Sequence, residues 1–449
     1  MQFNLKSKIK LKAGQILALG FICLILFGGI VLSLPISSQS GEATNFLDAI
    51  FTATSATCVT GLTTLSTAEH WSTFGQIVIM LLIEIGALGF VSFGAIFAII
   101  IGKKITLKNR LMMQEALNTF SIQGLVKLVR YIIIFTVSGQ LLGAVLLSTQ
   151  FIPEYGLKTG IYYSIFHSIS SFANAGFDLF GDSLIRYNSN VVVITVLSLL
   201  IIIAGLGFTV WNEIYNIRNI KNIKKISIHS KIVIITTGFL ILLGTLLIFL
   251  FEYNNPETFG HMSLGDKILN SFFASVSPRT AGFFSVNIAE MTTASNFLTI
   301  LLMFIGGSPG STAGGVKTVT VAILFLTVIS VIKGREDTEV FERRFSKRLI
   351  YKAFTLLFLE VSLLIVVTLL LSITEKGVPY LTLLYEATSA LGTVGLSLNL
   401  TPNLTIIGKI LIMILMYMGR VGPLTILFAL RKNDKKTGYK YPEGKILIG

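Results

Sequence analysis

Charge is scarce in this 449-residue chain: 13% of its residues are Asp, Glu, Lys or Arg, against about 25% in an ordinary soluble domain. That shortage argues against a soluble fold, and a hydrophobic content of 53% with a mean hydropathy of +0.79 argues for a membrane protein. Cysteine is scarcer still. Cys23 and Cys58 sit in or beside apolar runs without metal-ligand spacing, so neither a disulfide framework nor a zinc site is indicated. Four histidines in scattered contexts, with no HExxH or GxSxG, supply no converging nucleophile and base, which argues against an enzyme and against an enzyme's cofactor. A phosphate loop is also missing. "IGGSPGSTAGGVKT", Ile305 to Thr318, has Val316 where a P-loop needs Gly directly before its Lys. Its flanks, Phe297 to Ile305 and Val319 to Val331, are apolar on both sides, so the stretch interrupts something long and greasy.

What the chain has instead is apolar length. A bilayer core of about 30 Å needs about 20 apolar residues per helix. Eight runs meet that need: Ala13 to Leu34, Gly75 to Ile101, Tyr131 to Phe151, Val191 to Val210, Ile232 to Phe251, Phe297 to Val331, Phe354 to Ile373 and Ile406 to Leu430. The first follows Lys6, Lys8, Lys10 and Lys12 as a signal peptide would, but its apolar region is too long and no small-x-small site follows. It reads as a span.

The net charge of +14 would suggest nucleic acid in a soluble chain; here its placement matters more, and no nucleic-acid partner is expected. Lys103, Lys104, Lys108 and Arg110 follow the second span, Arg218, Lys221, Lys224 and Lys225 the fourth, Arg343, Arg344, Lys347 and Arg348 the sixth, and Arg431, Lys432, Lys435 and Lys436 the eighth. The alternate loops carry Glu42, Asp48, Glu69, Glu154, Asp178, Asp182 and Glu257. The positive-inside rule then puts both termini in the cytoplasm.

Those alternate loops share a second feature. "FLDAIFTATSATCVTGL", "IYYSIFHSISSFANAGF", "KILNSFFASVSPRTAGF" and "LTLLYEATSALGTVGL" align on Gly61, Gly176, Gly282 and Gly395, with an aromatic ten residues earlier at Phe51, Phe166, Phe272 and Tyr385. The glycines are 115, 106 and 113 residues apart, and the spans that follow carry Gly86 and Gly89, Gly205 and Gly207, Gly306 and Gly307, and Gly419 and Gly422. A unit of span, half-span and span therefore repeats four times. The half-spans are too short to cross a bilayer at about 1.5 Å per residue. Asn45, Thr159, Asp266 and a first-turn Pro379 read as their starts.

Irregular backbone at membrane depth survives only where protein buries it or water fills the passage it lines. Four such turns around one axis make a ring of carbonyls, with helix C-termini favouring a cation at the centre. The candidate filter is Thr57, Cys58, Val59, Thr60 and Gly61; Phe172, Ala173, Asn174, Ala175 and Gly176; Pro278, Arg279, Thr280, Ala281 and Gly282; and Leu391, Gly392, Thr393, Val394 and Gly395. Glycine suits the last position because aiming successive carbonyls at an axis needs angles that a Cβ makes costly. No carboxylate ring occurs there, which argues against a calcium-type site.

Four span, pore-loop, span units with a glycine in each filter segment and a broken helix in the third resemble the Trk/Ktr/HKT superfamily of potassium transporters. The resemblance runs from Ala13 to Leu430, and the absence of an additional helix pair makes it closer to the Ktr-type membrane subunit. It implies an all-α polytopic fold: four M1-P-M2 units in pseudo-fourfold arrangement, eight transmembrane helices, and units at 1–110, 111–225, 226–345 and 346–431 before a cytoplasmic tail at 432–449. It implies K+ as the transported ion, with Na+ as a candidate activator, in the plasma membrane of a bacterium. In the family four filter glycines go with potassium selectivity, and Ser in the first filter goes with sodium permeation in some plant members. The broken helix implies a gate at Gly306, Gly307, Ser308, Pro309, Gly310, Ser311, Thr312, Ala313, Gly314 and Gly315. Lys317, just beyond it, reads as snorkelling or pairing with a lipid headgroup, and Arg420 stands where the family has a basic residue facing that loop. The implied partners are a second copy and a cytoplasmic ring of nucleotide-binding RCK subunits, beside the lipid bilayer.

Three charges remain. Arg279 reads as pointing behind the filter to brace an acidic or carbonyl group, since a cation facing the axis would oppose permeation. Glu84 either pairs with a basic group or lines the cytoplasmic vestibule. His167 reads as packing, and the glycines of the second and fourth spans as helix-packing notches. The charged stretch Gly334 to Arg348 is either merely solvated or a docking surface, and the tail is either a docking element or disordered.

Overall fold

The computed structural model describes residues 13–89, 113–114, 124–217 and 226–423. The basic clusters at 103–110, 218–225 and 431–436, the ends of the second and eighth apolar runs and the tail at 432–449 lie outside the described residues.

The described chain is predominantly helical. Helices α1 (Ala13–Ser33), α2 (Phe46–Cys58) and α3 (Thr73–Leu88) come first, followed by α4 (Leu125–Ala173), α5 (Val191–Gly205) and α6 (Phe208–Ile217). Then come α7 (Ile228–Glu252), α8 (Leu264–Val276), α9 (Thr293–Phe304) and α10 (Thr318–Ile332), and finally α11 (Lys347–Thr374), α12 (Tyr380–Gly392) and α13 (Ile406–Val421). A long helix, a short helix, an extended turn and a further helix thus recur four times. In the second recurrence the first two merge in α4 and are separated by a kink at Gly156, where φ is 79° and ψ 169°.

Among the described residues four helices are long and apolar enough to cross a membrane: 14–33, the first part of α4, α7 and α11. Their outer faces are apolar and exposed, as at Phe27, Leu142, Leu242 and Phe358, which suits hydrocarbon as solvent. The inner faces pack around the short helices, whose Phe51, Phe166 and Tyr385 are buried. In α8 the buried aromatic is Phe273, and its neighbour Phe272 is half-buried.

The outer ends are tied by capping. Glu252, at the end of α7, is fully buried and accepts from the Thr292 backbone N–H at 2.8 Å and its hydroxyl at 2.7 Å, where Thr292 caps α9. Glu375, after α11, accepts likewise from Thr405 at 3.1 and 2.6 Å, where Thr405 caps α13. Each carboxylate satisfies donors of a helix start, where the macrodipole favours negative charge.

Two of the expected helix starts move. Thr159 lies within α4, because the break is at Gly156. Ser263, not Asp266, caps α8: its hydroxyl accepts from the Asp266 backbone N–H and donates to the Asp266 carboxylate at 2.7 Å. Asn45 caps α2 as read, and Pro379 takes the cap position of α12 itself.

The second spans are also less continuous than their hydropathy suggests. The fourth apolar run bends by 89° between α5 and α6 at Gly207, whose φ is 94°. Helix α3 stops before Gly89 (φ 80°, ψ 134°) and α13 before Gly422 (φ 87°, ψ 129°), matching left-handed positions that break the backbone ladder. Gly334 to Arg348 contains a hairpin, β1 (Glu339–Val340) against β2 (Arg343–Arg344), with Phe341 and Glu342 at positive φ and Arg344 paired to Asp337 at 3.1 Å.

Candidate functional site

Each short helix ends in a turn of the same form. Val59, Asn174, Thr280 and Thr393, two residues before the aligned glycines, all have positive φ, between 50° and 75°. Gly61, Gly176, Gly282 and Gly395 also have positive φ. Left-handed backbone at a β-branched residue costs about 1–2 kcal/mol, and local hydrogen bonds offset it. The Thr60, Ala175 and Val394 amides donate back to the Ser55, Ser170 and Ser389 carbonyls, each at 2.8 Å, and the Ser55 and Ser389 hydroxyls accept from the Gly61 and Gly395 amides. The third turn departs: Ala281 donates to the Ser277 carbonyl at 2.9 Å, one residue later in register.

The four turns meet in cyclic order. A Cβ at Gly61 would stand 2.5 Å from the Ala175 carbonyl oxygen, one at Gly176 2.8 Å from Ala281 O, one at Gly282 2.3 Å from Val394 O, and one at Gly395 2.3 Å from Thr60 O. The last contact returns to the first, so the order closes. Asn174 and Thr280 touch side chain to side chain at 3.4 Å. The hydroxyls of Thr57, Thr60 and Thr393 and the Asn174 carbonyl oxygen are buried with no protein partner. Buried polar groups left unpaired by protein fit a passage that supplies water or an ion.

Beneath the fourth turn lies the glycine-rich break. Ile305 and Val316 form a β-bridge at its neck, and a Cβ at Gly314 would fall 2.2 Å from Thr393 Oγ1. The loop is anchored on three sides. Ser308 N–H donates to Gly205 O at 3.0 Å, and Gly310 O accepts from Phe208 N–H at 2.9 Å, both at the bend between α5 and α6. Arg420 donates to Thr312 O, to Gly86 O at 2.6 Å and to Ala87 O at 2.9 Å, joining α13, the loop and the end of α3. Lys317 does not snorkel to a headgroup: it turns its ammonium back to Ala313 O at 2.7 Å and Gly314 O at 3.3 Å. Gly306, Gly307, Pro309, Ser311 and Gly315 complete the turn, with the Ser311 hydroxyl on Ser308 O at 2.7 Å.

The model of the TrkH family, described as cation transport protein, matches residues 18–439. The chain belongs to the TrkH family. It is a membrane cation transporter and no enzyme. Among similar proteins, the potassium/sodium uptake protein NtpJ of Enterococcus hirae is 48% identical over 98% of each chain. The Ktr system potassium uptake protein B of Bacillus subtilis is 40% identical over 97% of this chain and 96% of that one. The crystal structure of the potassium transporter TrkH from Vibrio parahaemolyticus shares the fold at a TM-score of 0.76 and 19% identity, covering 95% of this chain and 86% of its own.

Within this TrkH-family frame the remaining charges take definite places. Arg279 is buried and points away from the turn into a small cavity lined by Ile201, Ile202, Gly205, Thr237 and Ile241, where its Nη2 lies 3.4 Å from Thr237 Oγ1. The expected acidic or carbonyl partner is replaced by a hydroxyl. Glu84 accepts from the amide of Gln140 at 2.9 Å. His167 accepts the Leu179 N–H at 3.2 Å through Nε2 and has Nδ1 2.7 Å from Tyr163 O, so it braces the segment beyond the turn as a hydrogen-bonding group. Glu386, aligned with it, does the same for Ser397 at 2.7 Å and for Thr401. Gly86 and Gly419 are close-packing positions, where a Cβ would meet Thr57 O at 2.1 Å and Leu391 O at 2.0 Å. The residues that sequence reasoning missed are Ser55 and Ser389, whose spacing six before the glycine was a usable signal, and Glu360, taken up below.

Proposed function

We propose that the chain is the ion-translocating subunit of a potassium uptake system. K+ passes along the axis of the four glycine turns, coordinated by carbonyls of Thr57 to Gly61, Phe172 to Gly176, Pro278 to Gly282 and Leu391 to Gly395, in four M1-P-M2 units with eight spans. The loop at 306–315 occludes the passage below the turns, held by Arg420 and Lys317. A cytoplasmic RCK-type ring that binds nucleotides moves it, and two copies of the chain pair in the bacterial plasma membrane. The observation that carries this reading is the closed cyclic order of the four turns, since carbonyls converging on one axis replace a lost hydration shell. A negative-inside potential supplies about 2.3 kcal/mol per elementary charge per 100 mV, enough for accumulation without hydrolysis by this chain.

A second reading, K+ movement coupled to or accompanied by Na+, is favoured by the name of the Enterococcus relative, a potassium/sodium uptake protein. Rubidium and sodium uptake into liposomes containing the purified chain tests both. Selective Rb+ flux independent of Na+ supports the first, Rb+ flux that requires Na+ the second, and absence of flux from a folded protein contradicts both.

A further inference from the structure

Below the loop lies a cavity of about 480 Å³, lined among others by Ser311, Lys317, Thr320, Glu360 and Arg420. Two cations stand at its upper wall, and both are spent on the loop's own carbonyls: Arg420 on Thr312, and Lys317 on Ala313 and Gly314. Three consecutive carbonyl oxygens are therefore capped by tethered cations, directly under Thr393. Carbonyls that accept an ammonium are of the kind that coordinates K+.

Glu360 lies across this cavity on α11, thirteen residues beyond the helix start at Lys347. It is buried, at 6% exposure, yet among the described residues it makes no hydrogen bond or ion pair closer than 4 Å. Its electrostatic partner is Lys317. An ionisable group at membrane depth needs such a partner and marks an ion path. Lys352, two turns toward the cytoplasm on the same helix, is exposed, and Arg420 is held by three carbonyls. Lys317, held by two loop carbonyls on the flank of the loop itself, is the cation that would move with the loop.

We propose that Glu360 receives the Lys317 ammonium when the loop leaves the axis, so that the loop carbonyls exchange a tethered cation for the permeating one. The proposal rests on the loop being the gate. With the loop closed, the ammonium sits on Ala313 and Gly314, out of ion-pair reach of Glu360; with it open, the ammonium pairs with Glu360 and the released carbonyls face the passage. Glu360 is then a positioning residue that acts through Lys317, not a coordinating group for K+.

Rb+ flux into liposomes, measured for the full chain, E360Q, K317M and the double variant, tests this. Removing the receiver should lower flux several-fold with Lys317 present and change nothing in the K317M background, while E360D should restore it. An equal fall of flux in both backgrounds overturns the proposal, because Glu360 would then act on the ion itself, and so does unchanged flux in E360Q. Deletion of Ser308 to Gly314 serves as the separate control: if that variant folds and carries no selective flux, the gate reading fails, whatever Glu360 does.

Discussion

Gly395 and Thr60 meet where the last repeat of the chain closes on the first: a Cβ at Gly395 would stand 2.3 Å from the Thr60 carbonyl oxygen. The atoms on both sides are backbone, so neither can rotate away. Gly395→Ala is predicted to abolish selective Rb+ flux. Gly41 is the control, since it also has positive φ but open space around its Cβ position. Gly41→Ala should cost only the strain of the left-handed angle, about 1–2 kcal/mol, and leave flux unchanged. Equal loss in both variants would mean that strain and not the closed ring is at stake.

The same seam is pinned at the outer surface by Lys409 of α13 and Asp48 of α2, 2.7 Å apart and 14% and 17% exposed. Pairs this shielded contribute more than fully exposed ones, so neutralising either residue should destabilise by about 1–2 kcal/mol. Thermal unfolding in detergent of D48N, K409M and the double variant checks it. The cycle should show that the second neutralisation costs less than the first.

Arg420 holds Thr312 of the loop and Gly86 and Ala87 of the first repeat together. Charge-assisted hydrogen bonds contribute about 1.5–3 kcal/mol each, so Arg420→Gln should shift the loop toward its open position and raise Rb+ flux about tenfold or more. A fall in flux with folding intact would show that Arg420 serves conduction instead.

Glu252 accepts from Thr292, Asn255 and Thr258 and has no exposed surface. Glu252→Ala leaves those donors unpaired, and the loss should be about 3 kcal/mol or more. The check is detergent thermal stability, with ion selectivity retained in whatever fraction stays folded.

How much of this was legible depended on which force each residue answers to. The aligned glycines and the short helices could be read because hydropathy and small-residue spacing report directly on what the backbone must do in lipid. The left-handed angles at Val59 and Thr393 are harder to read, since local preference opposes them and the one signal for what holds them is the spacing of Ser55 and Ser389 from the glycines. Gly89 and Gly207 read as packing notches because apolar residues continue on both sides of each; only the φ values reveal the breaks there and at Gly422. Arg279 reads as bracing an acidic or carbonyl group because a cation on the axis would oppose permeation; the neighbour it has, Thr237, is a distant residue that no spacing predicts. Glu360 went unremarked inside an apolar run, and its importance follows from the cavity it faces.

The central claim is that the four turns form a selective passage and that the loop at 306–315 occludes it. Rb+ and Na+ flux into liposomes, measured for the full chain and for a chain lacking Ser308 to Gly314, tests it most directly. The account predicts Rb+-selective flux that rises several-fold on deletion with selectivity kept. Flux that falls on deletion, or that rises with equal Rb+ and Na+ passage, would contradict it.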